Sequence, residues 1–242
     1  MLTNNCSGEV NVWNKKCIIS ASLLSLDMLN LEKQVKQLQE GGIDMLHIDI
    51  VDGHFSPSMP LGFGLLRDLR RVTDMPFECH VMADPPEYFV DELLNLGVQQ
   101  ITFHMEKAPH IDGLLNKIHA KGVRAGVALN LATSVHNLEY IIEKCDSVLV
   151  MLTNCGYAFD VEQDNVSYAE RKIYDVRRLI DDLGLNTKLI IDGRVTLEHI
   201  KKYGNDVVDI FAIGGRCIQK HNLQTDVLNV IELRRNIIGE KI

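Results

Sequence analysis

The sequence predicts an α/β protein folded as a single (β/α)8 (TIM) barrel. Three observations predict it: eight short apolar runs recur along the chain, longer amphipathic stretches alternate with them, and 242 residues is about the size of one such barrel, typically ~250 residues. The strand-like runs are Cys17–Ser20, Met45–Ile50, Phe77–Met82, Gln100–His104, Arg124–Leu129, Ser147–Leu152, Lys188–Asp192 and Asp209–Ile213. Between them apolar residues recur three and four apart, as at Leu31, Val35 and Leu38 or around Tyr140, Ile141 and Lys144, which predicts helices. Glycines close several of these stretches (Gly41-Gly42, Gly97, Gly122, Gly184, Gly204), where a left-handed residue ends a helix cheaply. No GxGxxG follows the first strand and no break marks a second domain, which favours a closed barrel over an open doubly wound sheet. Residues 17–242 read as the barrel and residues 1–16 as an N-terminal arm. The longest irregular stretch, Asn154–Tyr168, follows the sixth strand.

Hydrophobic residues make up 46% of the chain and charged residues 24%, ordinary for a protein with a large core. A net charge of −8 argues against a nucleic acid or an anionic membrane as partner, but not against a small phosphorylated ligand held by backbone amides. No apolar run approaches the ~20 residues that span a bilayer, and Met1–Trp13 lacks the apolar core of a secretory signal. Six cysteines without CxxC spacing read as reduced thiols. The expectation is a soluble, cytoplasmic protein.

In such a barrel the site lies at the C-terminal ends of the strands. The second strand carries His47 and Asp49, which alternation places on one face; the third ends in His80 and the seventh in Asp192. Two imidazoles and two carboxylates therefore converge from three strands. Each alone could be a satisfied buried polar group. Together they suit Zn2+, Fe2+, Mn2+ or Co2+, because carboxylates buried without a cation are costly. Phosphate in this architecture sits by the loops after strands seven and eight, where Gly193 and Gly214-Gly215 offer backbone amides, or serve as plain turn glycines.

The stretches HIDIVDGHF (His47–Phe55), ECHVM (Glu78–Met82), VLVM (Val148–Met151) and IDG (Ile191–Gly193) resemble the ribulose-phosphate 3-epimerase family, in order and with family-like spacing from about Ile18 to the eighth strand. The resemblance implies one divalent metal ion, Zn2+ first, held by His47, Asp49, His80 and Asp192. It implies that Asp49 and Asp192 are the acid–base pair, moving the C3 proton of a ketose phosphate through a metal-stabilised enediolate, D-ribulose 5-phosphate to D-xylulose 5-phosphate. It further implies substrate contacts from Ser22, His80, Met82, Met151 and Gly156, and a homo-oligomer. Outside the resemblance, methionines at strand ends are commonly core and a serine after a first strand is commonly a cap. A third family methionine is Val51 here. His104, at the end of the fourth strand, reads as a structural hydrogen-bond partner.

The chain departs from the family where PGFGGQ is usual, reading Cys155-Gly156-Tyr157-Ala158-Phe159-Asp160, with Glu162 and Asp164 following. The second glycine of the usual DGG is Arg194, a fitting phosphate partner. An intact metal half beside an altered phosphate half leaves three readings: the ribulose-phosphate epimerase, a paralogue acting on a ketohexose phosphate such as D-allulose 6-phosphate, or a retired barrel that only binds a sugar phosphate. A related barrel group of decarboxylases and hexulose-phosphate synthases is disfavoured, since its DxKxxD run is replaced by His80-Val81-Met82-Ala83-Asp84 without a lysine.

Overall fold

Eight parallel strands pair in chain order and close, the last against the first. They are β1 (Ile18–Ser22), β2 (Met45–Val51), β3 (Phe77–Met82), β4 (Gln100–His104), β5 (Arg124–Leu129), β6 (Ser147–Met151), β7 (Lys188–Val195) and β8 (Ile210–Ile213). The computed structural model describes residues 12–156 and 167–240. Among these, seven helices stand outside the barrel: α1 (Leu31–Glu40), α2 (Phe63–Leu69), α3 (Glu87–Asn95), α4 (Ile111–His119), α5 (Ala169–Asp182), α6 (Leu197–Tyr203) and α7 (Leu223–Ile238). The predicted barrel is the observed one. None of the described helices is long and apolar enough to cross a membrane.

The strands read as continuous apolar runs because a parallel sheet is covered on both faces. Alternation sorts their side chains into two layers. Ile19, Leu46, Ile48, Val81, Phe103 and Val148 join the apolar layer shared with the helices. Ile18, Met45, Leu149, Ile190 and Ile210 fill the barrel interior as a separate cluster. Above that floor lies a polar tier. Gln100 Nε2 donates to Thr102 Oγ1 at 3.0 Å and Ser147 Oγ at 2.7 Å, and Ser20 Oγ to Glu78 Oε2 at 3.3 Å. Gly126 on β5 faces this tier because there is no room for more: a Cβ would sit 2.1 Å from Ser147 Oγ and 2.8 Å from Ser147 O.

Two local expectations are corrected. The stretch around Tyr140, Ile141 and Lys144 forms two 3₁₀ turns, Val135–Leu138 and Ile142–Lys144, instead of an α-helix. Leu138 and Ile142 are buried four residues apart, so the spacing is satisfied by single turns, and β-branched Val135, Ile141 and Ile142 do little to extend a helix. Gly42, Gly97, Gly122 and Gly184 take the expected left-handed conformation, but Gly41 and Gly204 do not. At Gly204 the demand is space: a Cβ would lie 2.5 Å from Ile200 O and 2.9 Å from Cys17 Sγ.

Of the expected N-terminal arm, residues 1–11 lie outside the described residues. From Val12 on, it packs beneath the barrel. Val12 and Trp13 lie against the interior cluster, and Trp13 meets the Arg124 guanidinium 4.5 Å from its ring centroid at the start of β5. Lys15 Nζ pairs with Asp44 Oδ1 at 2.6 Å, just before β2. Side chains of this segment thus help to close the floor of the barrel. Gly126→Ala should lower the unfolding free energy by about 1–3 kcal/mol, the usual cost of overpacking a tight interior. Urea denaturation measures this; an unchanged midpoint would show that the polar tier yields freely.

Candidate active site and metal centre

The C-terminal ends of β2, β3 and β7 bring four ionisable side chains to one point. Register sets Asp49 beside His80 and Met151 beside Asp192. His47 Nε2 lies 3.2 Å from Asp49 Oδ1 and 3.5 Å from Asp192 Oδ2; His80 Nδ1 lies 3.4 Å and 3.3 Å from the same two oxygens. One donor atom from each of the four falls within 4.8 Å of all the others. The remaining carboxylate oxygens are held from outside the quartet. Ser22 Oγ donates to Asp49 Oδ2 at 3.3 Å, and Gly193 N donates to Asp192 Oδ1 at 2.6 Å.

Asp192 is aimed by an irregularity in β7. The pairing of β7 with β8 shifts register between Ile191 and Val195, and the shift contains Gly193 at φ 96° and Arg194 at φ 55°. Such bulges turn a side chain out of the regular alternation beside a site. Glycine at 193 is also demanded by closeness, since a Cβ would lie 2.6 Å from Thr153 Oγ1. Arg194 has a Cβ and still adopts the left-handed conformation, which costs on the order of 1–2 kcal/mol.

Charge at this point is arranged to receive a cation. Burial by itself would lower the His47 pKa, but the carboxylates of Glu78, Asp49 and Asp192 outweigh it and hold the imidazole well above its ordinary value. Burial would raise the carboxyls of Asp49 and Asp192; the His47 and His80 imidazoles overcome it and keep both below the usual carboxylate range. His80 Nδ1 is buried and makes no hydrogen bond, although two carboxylate oxygens face it. A buried nitrogen that faces two carboxylate oxygens is placed as a ligand atom would be, and a two-His, two-Asp donor set fits a divalent ion.

Behind the quartet stand groups to which the sequence reading gave no partner. His47 Nδ1 meets Glu78 Oε2 at 2.5 Å, and neither residue is exposed. The signal was available: Glu78 shares a face of β3 with His80 and registers directly against His47. His80 Nε2 lies 2.9 Å from His104 Nε2, and His104 Nδ1 lies 3.2 Å from Glu106 Oε2. The expected structural hydrogen bond of His104 is present, and its partner is one of the quartet.

Above the quartet opens a cavity of about 450 Å³. Ser22, Met82, Met151, Gly156, Gly193, Arg194, Gly214 and Gly215 all line it with Asp49 and Asp192, whereas His47 and His80 lie below, fully buried. Val51, at the third methionine position, lines it too. Every residue expected at the site is therefore brought to this end of the barrel. Of the altered stretch after the sixth strand, Tyr157, Ala158, Phe159, Asp160, Glu162 and Asp164 lie outside the described residues. Arg216 and Lys220, after β8, also border the cavity and were not expected; a cation just past the double glycine was the available signal.

Known proteins resemble this chain in sequence and in fold. Residues 18–218 match the model of the ribulose-phosphate 3 epimerase family. Proteins named ribulose-phosphate 3-epimerase from Buchnera aphidicola subsp. Schizaphis graminum and from Escherichia coli K12 are 34% and 30% identical. The first alignment covers 83% of this chain and 87% of the relative, the second 93% and 98%. Among solved structures, KGPDC from Streptococcus mutans superposes with a TM-score of 0.68 over 92% of this chain and 99% of that one, at 12% identity. Phosphoribosyl anthranilate isomerase from Thermus thermophilus reaches 0.63 over 91% and 99%, at 8% identity. These two likenesses show the barrel alone; the family match and its relatives show more, and the chain belongs to the ribulose-phosphate 3-epimerase family.

Proposed function

We propose that this protein is a metal-dependent 3-epimerase of a ketose phosphate, interconverting D-ribulose 5-phosphate and D-xylulose 5-phosphate. The observation that carries the reading is the buried quartet of His47, Asp49, His80 and Asp192 beneath a cavity sized for a small molecule. A divalent ion held by these four, Zn2+ before Fe2+, Mn2+ or Co2+, would supply Lewis-acid stabilisation of negative charge at the substrate's carbonyl. Asp49 and Asp192 do the proton work. They stand on β2 and β7, and each keeps one oxygen toward the quartet and one oxygen held by a separate donor, Ser22 Oγ or the Gly193 amide. One carboxylate removes the C3 proton from one face of the sugar and the other returns a proton from the opposite face, which inverts the centre. Met82, Met151 and Val51 line the cavity with apolar surface, which keeps water from competing for the carbanionic centre.

The phosphate end of the substrate is assigned to the β7 and β8 loops. Gly193, Gly214, Gly215, Arg194, Arg216 and Lys220 border the cavity there, and the backbone donors are the Gly214 and Gly215 amides, since the Gly193 amide already serves Asp192. A net charge of −8 does not oppose this, because the cations are local to the mouth. The substrate is a small phosphorylated sugar; a soluble, cytoplasmic homo-oligomer accords with the family resemblance. A ketohexose 6-phosphate such as D-allulose 6-phosphate is the second reading. It rests on the altered stretch after β6; an adjoining cleft shares Thr153, Gly193, Arg194 and Arg216 with the cavity.

In D2O, metal-loaded protein should exchange the C3 proton of D-ribulose 5-phosphate and yield the epimer by NMR, faster than with D-allulose 6-phosphate. The reverse order would select the second reading. No exchange with either, at full metal occupancy, would leave a retired barrel. Asp192→Asn should abolish turnover in a folded protein, and near-normal turnover in that variant would remove the role assigned to Asp192. Arg194→Ala should raise KM about tenfold or more with little change in kcat, consistent with ~1.5–3 kcal/mol for a hydrogen bond to a charged group. An unchanged KM would return Arg194 to the surface.

A further inference from the structure

We propose that His104 and Glu106 are a positioning dyad that selects the tautomer of His80 competent to bind the metal. The inference rests on the metal reading above and extends it to two residues on β4 and its following turn. Nδ1 of His80 faces Asp49 Oδ1 and Asp192 Oδ2, so Nδ1 is its ligand atom and must carry a lone pair. A neutral imidazole with a bare Nδ1 carries its proton on Nε2. That proton points to His104 Nε2, 2.9 Å away, which must then accept. An accepting Nε2 places the His104 proton on Nδ1, which faces Glu106 Oε2 at 3.2 Å.

Glu106 decides the direction of this chain because a carboxylate can only accept. It is fixed as an acceptor on its other oxygen as well, which receives the Asn130 amide at 2.8 Å and the Thr133 hydroxyl. The opposite order would need His104 Nε2 to donate to His80 Nε2. It would put the His80 proton on Nδ1, between two carboxylates and in place of the ion. His47 has the simpler arrangement, with Nδ1 donating straight to Glu78 and Nε2 left for the quartet. The two imidazoles thus present different nitrogens, and each is set by an acceptor on its far side. His80 borrows its acceptor through a second imidazole because Thr102, not a carboxylate, is its register neighbour on β4.

His104 is held for this task from several sides. Phe55 lies 4.7 Å from it between ring centroids, and Cys155 Sγ lies 3.3 Å from its Nε2. The Cys155 thiol donates to Asn130 Oδ1 at 3.1 Å, which leaves its sulfur only a weak acceptor toward His104 Nε2, against a carboxylate at Nδ1.

The test is zinc affinity of the full-length, metal-stripped protein, measured by competition with a chromogenic chelator. Glu106→Gln leaves an amide that can donate or accept and so no longer enforces the order. His104→Phe removes the acceptor and keeps a ring. Both should weaken zinc binding about 10–100-fold, the range for losing an outer-shell partner of a ligating histidine. The metal-free melting temperature should stay within experimental error, and kcat should return at saturating zinc. Should His104→Phe not fold, Glu106→Gln decides, since its side chain is 21% exposed. Unchanged affinity in Glu106→Gln overturns the dyad, as does a loss that merely tracks a lower metal-free melting temperature. His80→Ala separates this from the parent reading: if it binds zinc as tightly as the unsubstituted protein, the metal site itself is misassigned.

Discussion

Three carboxylates, Asp49, Asp192 and Glu78, gather at one end of a closed barrel, Asp49 and Glu78 buried and Asp192 with 15% of its side chain exposed, and much of the surrounding structure answers that charge. Leaving such groups buried without compensation would cost far more than the small net stability of a domain. The compensation is specific. His47 stands between Glu78 and the aspartate pair, His80 faces both aspartates, and Ser22 and the Gly193 amide hold the outer oxygens. No arginine or lysine is needed within the quartet. The positive charge that faces the carboxylates comes from imidazoles, and the four side chains form a cluster able to hold a metal ion.

The barrel separates this expensive end from the stabilising remainder. Apolar side chains and the Val12–Trp13 turn close the floor, a hydrogen-bonded tier of Gln100, Thr102 and Ser147 fills the middle, and ionisable groups occupy the mouth. Irregular backbone is concentrated at the same end. The β7 register shift, the left-handed Arg194 and the tight approach of Gly193 to Thr153 all surround Asp192. Strain held by a rigid scaffold around a functional side chain is a familiar way of aiming it.

The proposed phosphate side follows a different logic from the quartet. A backbone cradle depends on glycine, because amides must approach the ligand closely. This chain has Gly214 and Gly215 beside the cavity together with Arg194 and Arg216, whose planar, permanently charged guanidinium groups match phosphate geometry. Family membership and the altered stretch after β6 are compatible, because the roles proposed for the quartet and for the β7 and β8 loops concern opposite ends of the sugar.

How much of this was legible in the chain differs by element. The eight strands were readable within three residues because burial on both faces makes each an apolar run, and the quartet was readable because alternation along a strand fixes which side chains share a face. The turns near Tyr140 were not, since apolar spacing of three and four serves a 3₁₀ turn as well as an α-helix. Glu78 was half visible, quoted in a motif yet not given a partner, because its bond to His47 depends on the β2–β3 register. The order Glu106–His104–His80 and the place of Arg216 were invisible in one dimension. Sequence by itself determined the period of the strands, and with it the barrel and the four residues facing its mouth. Only tertiary structure decided which nitrogen each imidazole presents and which groups stand behind it, because those depend on cross-strand distances of about 3 Å that no local periodicity encodes.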